Sequence, residues 1–345
     1  SRDDVRVLSR SVGLRLPEDR LEQLQRTLTG YASGLERLRS IDPGRHEPPT
    51  ITYLRQRATS MSSGDNLELC FEPISVLSDR IARREISPVE VADAVLGQIE
   101  RHNDDMHVYI TVLREIAMDQ ARQAEAEILA GTSRGPLHGV PVALKDNIET
   151  RGIRTSCASA ANPGWIPNED ATVYEKLRDA GVVLVGKANL YEFAFSMNPA
   201  FPQPPNPWHP GRSSAGSSSG SAVAVAMGMA YGSIGSDTGG SGRAPANVNG
   251  VVGMKGTYGR VSRAGVVPLS YSLDHVSVFA RTVVDAAMML QSISGHDDRD
   301  EYSARIAVPD FREKIGRELR GLRIGRARGF TRENIDRDVV DVVSR

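Results

Sequence analysis

Between Pro17 and Arg39 the apolar positions Leu21, Leu24, Leu28, Tyr31, Leu35 and Leu38 recur at alternating steps of three and four, with charge between them. That is the stripe of one amphipathic helix docked along a single face, too narrow to build its own core. The pattern stops at Ile41-Asp42-Pro43-Gly44. Glu47 to Thr50 (EPPT) then reads as an extended crossing, and Thr59 to Asn66 (TSMSSGDN) as a flexible joint. The expected organisation is a helical segment over 1–58, a linker over 59–69 and a second domain over 70–345.

That second domain alternates helix and strand signals. Ser87-Pro88-Val89-Glu90 combines a serine cap, proline in the first turn and an acid near the positive end of the dipole, and predicts a helix to about His102. A strand is expected at Val108 to Leu113, a helix from Glu115 to Ala130, and a buried strand at Gly139 to Leu144 that ends on Lys145-Asp146-Asn147. A helix over Ala171 to Ala180 and a strand over Val182 to Val185 repeat the alternation. The pattern predicts an α/β fold, a sheet core covered on both faces by helices, with chemistry gathered beyond the strand ends.

From Gly211 to Arg260 glycine and serine give way to small apolar residues that are hydrophobic all round, then return. This predicts loop, buried helix, short strand and loop, with Ala222 to Ala226 in the helix and both serine-rich ends facing one region. Near the C-terminus, Leu322 to Gly325 reads as a strand and Ile335 to Val343 as a helix.

Composition narrows the function. With 345 residues, 40% of them hydrophobic, the chain can bury a large core. Its 42 basic and 43 acidic residues give a net charge of -1, so no global field recruits nucleic acid or an anionic membrane. Cys70 and Cys157 lie far apart without metal-ligand spacing, which fits a reducing compartment and excludes a thiolate zinc cluster. No basic-then-apolar leader and no membrane-length apolar run is present, so the expected location is the cytoplasm.

Two features carry candidate chemistry. A lysine directly after an apolar run, as at Lys145, must be paired or lose its proton unless it is simply solvated at a strand end. Gly239-Gly240-Ser241, after Asp237-Thr238, permits the backbone angles that turn successive N–H groups inward as an anion-binding nest. Serine needs a base to act as a nucleophile, and the seven histidines have no motif context, which makes Lys145 the better candidate. The Gly/Ser loop at 211–221 runs straight into a core helix, unlike a linker, and lacks the Gly-Lys-Ser/Thr ending of a phosphate cradle.

The segments VPVALKDNI (140–148), NLYEFAFSMNP (189–199), NPWHPGRSSAGSSSGSAVAVA (206–226), GSDTGGSGRAPA (235–246) and GVVGMKGTYGRVSRAGVVPLSYSLDHV (250–276) resemble, in order, the amidase signature family. The resemblance implies amide hydrolysis by a Ser-cisSer-Lys triad: Lys145 as base, Ser217 as bridging relay, with Ser218 beside it, and Ser241 as nucleophile. It places the oxyanion hole at the N–H groups of Thr238, Gly239, Gly240 and Ser241, with Asp237 and Arg243 bracing the turn and Met197 and Asn198 as substrate contacts. No metal or organic cofactor is implied. Gly242 stands where a bulkier aliphatic is common, a change that would loosen or widen the pocket.

Residues 10–50 resemble the C subunit of the glutamine-dependent aminoacyl-tRNA amidotransferase. An A-subunit-like glutaminase is therefore an alternative to a free-standing amidase, although Ser196-Met197-Asn198-Pro199 departs from the Gly-Ser-Ser-containing pattern of such subunits. The family resemblance also implies further chain beyond Arg345. A homodimer or a partner chain supplying that part, and an inactive scaffold of the same fold, follow as readings. The expected ligand is a small-molecule amide.

Overall fold

In the computed structural model, residues 67–323 together with 337, 339 and 340 are described. They belong to the unit Tyr53–Arg345. The helix expected over 17–39 and the joint over 59–66 lie outside the described residues, and the elements expected at 322–325 and 335–343 lie largely outside them.

After a 3-10 turn at Leu69–Phe71 come α1 (Ile74–Ala82), α2 (Pro88–Met106), β1 (Tyr109–Val112), α3 (Arg114–Leu129), β2 (Pro141–Lys145), α4 (Thr172–Asp179) and β3 (Val183–Ala188). Then follow α5 (Ser219–Ala226), β4 (Gly232–Asp237), α6 (Arg243–Val248), β5 (Val252–Lys255), β6 (His275–Ala280) and α7 (Val283–Ile293). Helix α2 starts where its capping box predicts: the Ser87 hydroxyl accepts the Val89 N–H, and the Glu90 carboxylate reaches back to the Ser87 N–H.

One six-stranded mixed sheet runs in the order β1-β3-β2-β4-β6-β5. Strand β2 is parallel to both neighbours, β3 and β4, while β1, β5 and β6 pair antiparallel. Every residue of β2, β3 and β4 is buried, so helices must cover both faces of these strands. Helix α5 is apolar all round because it sits inside that cover, against β4 and β2.

This topology sets the location of the site. The parallel strands β2 and β4 end together, on Lys145 and Asp237, and antiparallel β6 begins there with His275 paired to Asp237. Loops from three strands therefore converge on one end of the sheet centre. Among the described residues no helix is long and apolar enough to cross a membrane.

Candidate active site

Lys145 is the last residue of β2, and its side chain has no solvent exposure. Its Nζ lies 2.8 Å from Ser217 Oγ and 2.8 Å from Ser236 Oγ. Burial pushes the ammonium down to about 7, although Asp237, the Cys157 thiol and Asp274 favour the charged form. An amine poised near neutrality in contact with a hydroxyl can act as a base.

Ser217 is held in a tight approach of two loops. The Gly216–Ser217 peptide bond is cis, and Ala215 before it has φ +54°. A Cβ on Gly216 would stand 2.4 Å from the Tyr191 ring, so only glycine fits there. The Tyr191 N–H donates to Ser217 O at 3.0 Å. Ser218, also buried, donates from its hydroxyl to Ser236 O at 3.1 Å and so ties the start of α5 to β4.

The turn after β4 is organised by one carboxylate. Asp237 accepts the Gly240 N–H at 2.8 Å through Oδ1, and the Gly242 and Arg243 N–H groups at 3.1 and 3.3 Å through Oδ2. The Arg243 guanidinium adds a two-point contact at 2.9 and 3.0 Å. Burial opposes the Asp237 charge, but the Arg243 side chain and the Gly242 and Arg243 N–H groups outweigh it and hold the pKa below the ordinary carboxylate value. Of the four N–H groups expected to face an oxyanion, that of Gly240 is thus already engaged, which leaves those of Thr238, Gly239 and Ser241. Ser241 itself is half-buried, and its hydroxyl makes no hydrogen bond among the described residues. The structure joins Lys145 to Ser217 and does not hydrogen-bond Ser217 to Ser241.

Met197 is exposed, and the Asn198 side chain is taken up by its own loop and by Ala158 of a neighbouring one. The Asn198 amide donates to Ala158 O and Glu192 Oε1, each at 3.2 Å, and its Oδ1 accepts the Ala200 N–H at 3.0 Å. Backbone strain gathers in the neighbouring segments, with positive φ at Cys157, Ala158, Phe193, Ala194 and Ala215. Phe193 N–H donates to Cys157 O at 3.0 Å, so these kinks abut. Non-glycine residues in that region cost energy and collect at functional sites.

Two residues here were not expected from sequence. Ser236 is the second partner of Lys145, and the Asn147 amide reaches its Oγ at 3.4 Å. Lys187, fully buried on β3, contacts the segment that follows Lys145. Each carried a signal: Ser236 lies in GSDTGGSG beside the proposed nucleophile, and Lys187 closes an apolar run as Lys145 does. Among the described residues no group of three or more His, Cys, Asp or Glu could hold a metal ion.

Comparison with known proteins identifies the family and the fold. The chain is 46% identical over 276 residues to the A subunit of a glutamyl-tRNA(Gln) amidotransferase from Carboxydothermus hydrogenoformans, covering 79% of this chain and 57% of that protein. In structure it is similar to the native peptide amidase of Stenotrophomonas maltophilia (TM-score 0.65, 37% identity, 68% of this chain and 50% of that one). A 6-aminohexanoate cyclic dimer hydrolase complexed with substrate is also similar (TM-score 0.66, 31% identity, 72% and 52%). The chain spans little more than half the length of the curated relatives it matches. Residues 90–345 match the Amidase family, and by that match, these identities and the shared fold the chain belongs to the amidase signature family.

Proposed function

We propose that this chain carries the machinery to hydrolyse a C–N amide bond through an acyl-enzyme on Ser241. The Ser241 hydroxyl oxygen attacks the amide carbonyl carbon while its proton passes to Ser217, which gives its own proton to the neutral amine of Lys145. Donors at Thr238, Gly239 and Ser241 meet the tetrahedral oxyanion, each worth about 3 to 4 kcal/mol where such donors have been removed in other enzymes. As the C–N bond breaks, the proton returns from Lys145 through Ser217 to the leaving nitrogen. Water then attacks the acyl ester, loses a proton to the same relay and frees the carboxylic acid, and Ser241 regains its hydroxyl. The chain's own side chains move every proton.

The observation that carries this reading is the buried Lys145 amine, brought to about 7 and placed 2.8 Å from Ser217 Oγ. The test is intact-protein mass after incubation with a serine-directed fluorophosphonate. One adduct on wild type, absent from Ser241→Ala and much slowed in Lys145→Ala, supports it. Equal labelling of all three would sink it.

The choice of amide has two readings. A free-standing amidase is favoured by the departure at Ser196-Met197-Asn198-Pro199 and by the similarity to the peptide amidase. An A-subunit-like glutaminase, working with partner chains, is favoured by identities of 40 to 46% to proteins named as amidotransferase A subunits. The C-subunit-like segment at 1–58, joined by a linker at 59–69, suits the second reading, and a cytoplasmic setting suits both. Ammonia release from glutamine, set against release from a C-terminal peptide amide, separates them.

A further inference from the structure

Lys187 Nζ has two hydrogen-bond acceptors, one ion-pair partner and no exposure to solvent. It donates to Ile148 O at 2.8 Å and to Thr155 Oγ1 at 2.7 Å, and lies 3.6 Å from Asp146 Oδ1. All three partners belong to the segment that begins immediately after Lys145. Asp146 closes the same segment from its other end, accepting the Ser156 N–H at 2.8 Å and the Ser156 hydroxyl at 2.6 Å through Oδ2, while its carbonyl accepts the Cys157 N–H at 3.2 Å. In the β2–β3 register Lys187 stands opposite Leu144, so it projects from the face of the sheet away from Lys145. The pair therefore grips the rear of the turn whose front presents Lys145 and whose Asn147 amide reaches Ser236.

A buried ion pair is weak as a stabilising device, since well-packed apolar residues of similar volume often do as well or better. A pair placed directly behind Lys145 calls for another role. We propose that Lys187 is a positioning residue: by binding Asp146, Ile148 O and Thr155 from β3, it fixes the Lys145-Asp146-Asn147 turn so that the Lys145 amine meets Ser217. This rests on the Lys145–Ser217–Ser241 reading above. The charged groups facing the pair are Arg154 and Glu149, and those facing Lys145 are Asp237 and Asp274; the Cys157 thiol, pushed up to about 12 by burial, lies near both and is neutral.

The test separates holding from mere charge balance. Fluorophosphonate labelling of the full chain is followed by intact mass, with maximal rate and half-saturating concentration fitted separately, and thermal unfolding is recorded for each variant. Lys187→Met strands a buried carboxylate and is expected to lower both the melting temperature and the maximal rate, the rate by about tenfold. Lys187→Met with Asp146→Asn removes both charges and is expected to recover the melting temperature but not the rate. Lys187→Gln with Asp146→Asn restores uncharged donors toward Ile148 O and Thr155 and is expected to recover the rate as well. A wild-type maximal rate in Lys187→Met with Asp146→Asn would overturn the proposal, and both double variants keep the test valid if the single one fails to fold. Should Ser241→Ala and Lys145→Ala label like wild type, the triad reading fails instead, so the two failures are distinguishable.

Discussion

The amine of Lys145, at the end of β2, is shared between two serines that reach it from different elements: Ser217, ahead of α5, and Ser236, on β4, each at 2.8 Å. Neutral amine nitrogen has one lone pair and two N–H donors, so it can accept from one hydroxyl and donate to the other. The base role proposed for Lys145 requires that Ser217 take the lone pair and that Ser236 accept an N–H from the amine.

The pH dependence follows from that amine. With Lys145 brought to about 7, fluorophosphonate labelling is expected to rise through neutrality and level off above pH 8. At pH 5 the base form falls to about one part in a hundred, and the rate should fall by roughly the same factor. Lys145→Met is expected to label slowly and without that inflection. A wild-type profile flat from pH 5 to 9 would remove Lys145 from the base role.

Ser236→Ala tests the orienting contact. A net hydrogen bond of about 1 kcal/mol, or somewhat more when a buried donor loses its acceptor, predicts a labelling rate about tenfold below wild type. The Asn147 amide contact to Ser236, at 3.4 Å, is also lost. Circular dichroism should be unchanged, since only one hydroxyl is removed.

Lys145 was legible because a charge directly after a buried apolar run is costly, and Lys187 obeys the same rule. Its strand was expected to stop at Val185, yet β3 continues through Gly186 to Ala188, because Gly186 packs against the Tyr109 ring and Thr111 O of β1, where a Cβ would stand 2.6 and 2.7 Å away. A glycine that reads locally as a strand end is here the residue that lets two strands approach. The α2 cap, the buried α5 and the strand ending on Lys145 were legible for a related reason: each is set by local chemistry. Strands β5 and β6 are not: β5 is a half-buried edge strand, and β6 takes its place only by pairing antiparallel with β4 on one side and β5 on the other. Ser236 needed the parallel β2–β4 pairing to bring it beside Lys145. The commitment of the Gly240 N–H to Asp237 depends on turn geometry that composition does not encode.

Asp237 and Arg243 should separate cleanly. The Arg243 side chain is 54% exposed, so Arg243→Ala is expected to cost no more than about 1 kcal/mol. Asp237 has no exposure and gathers three backbone N–H groups, so Asp237→Asn is expected to cost roughly 2 to 3 kcal/mol in urea unfolding. Because the folded carboxylate titrates below its unfolded value, its contribution is present above about pH 4 and fades as pH falls through the lower folded value. The same charge favours protonated Lys145, so the labelling midpoint of Asp237→Asn should move to lower pH.

Two glycines make opposite predictions. A Cβ on Gly239 meets nothing within 4 Å, and Gly239→Ala should unfold within about 1 kcal/mol of wild type. Any loss of labelling then reports on the donors of the turn. On Gly220 the same atom would stand 2.5 Å from Asn189 N and Val108 O, backbone atoms that cannot swing aside. Gly220→Ala is expected to cost about 3 kcal/mol or more by forcing α5 off β3. Equal melting temperatures for the two variants would show that this close approach is not required.

Global stability should carry an unusual slope with pH. Lys145 at about 7 and Lys187 at about 8 both titrate below the ordinary lysine value because burial disfavours their charge. Between those values and the unfolded value of about 10.4, the unfolded chain binds more protons than the folded one, so stability rises with pH across that window. From pH 7 to 8, chosen to stay below the midpoint of about 8.5 at which unfolded thiols ionise, Lys145 alone contributes about 1 kcal/mol of gain. Urea midpoints at the two pH values measure it, and Lys145→Met should remove most of the rise while leaving the smaller part due to Lys187. A wild-type midpoint that falls over this interval would mean that the two amines remain protonated in the folded chain, held by Asp237 and Asp146 against the cost of burial.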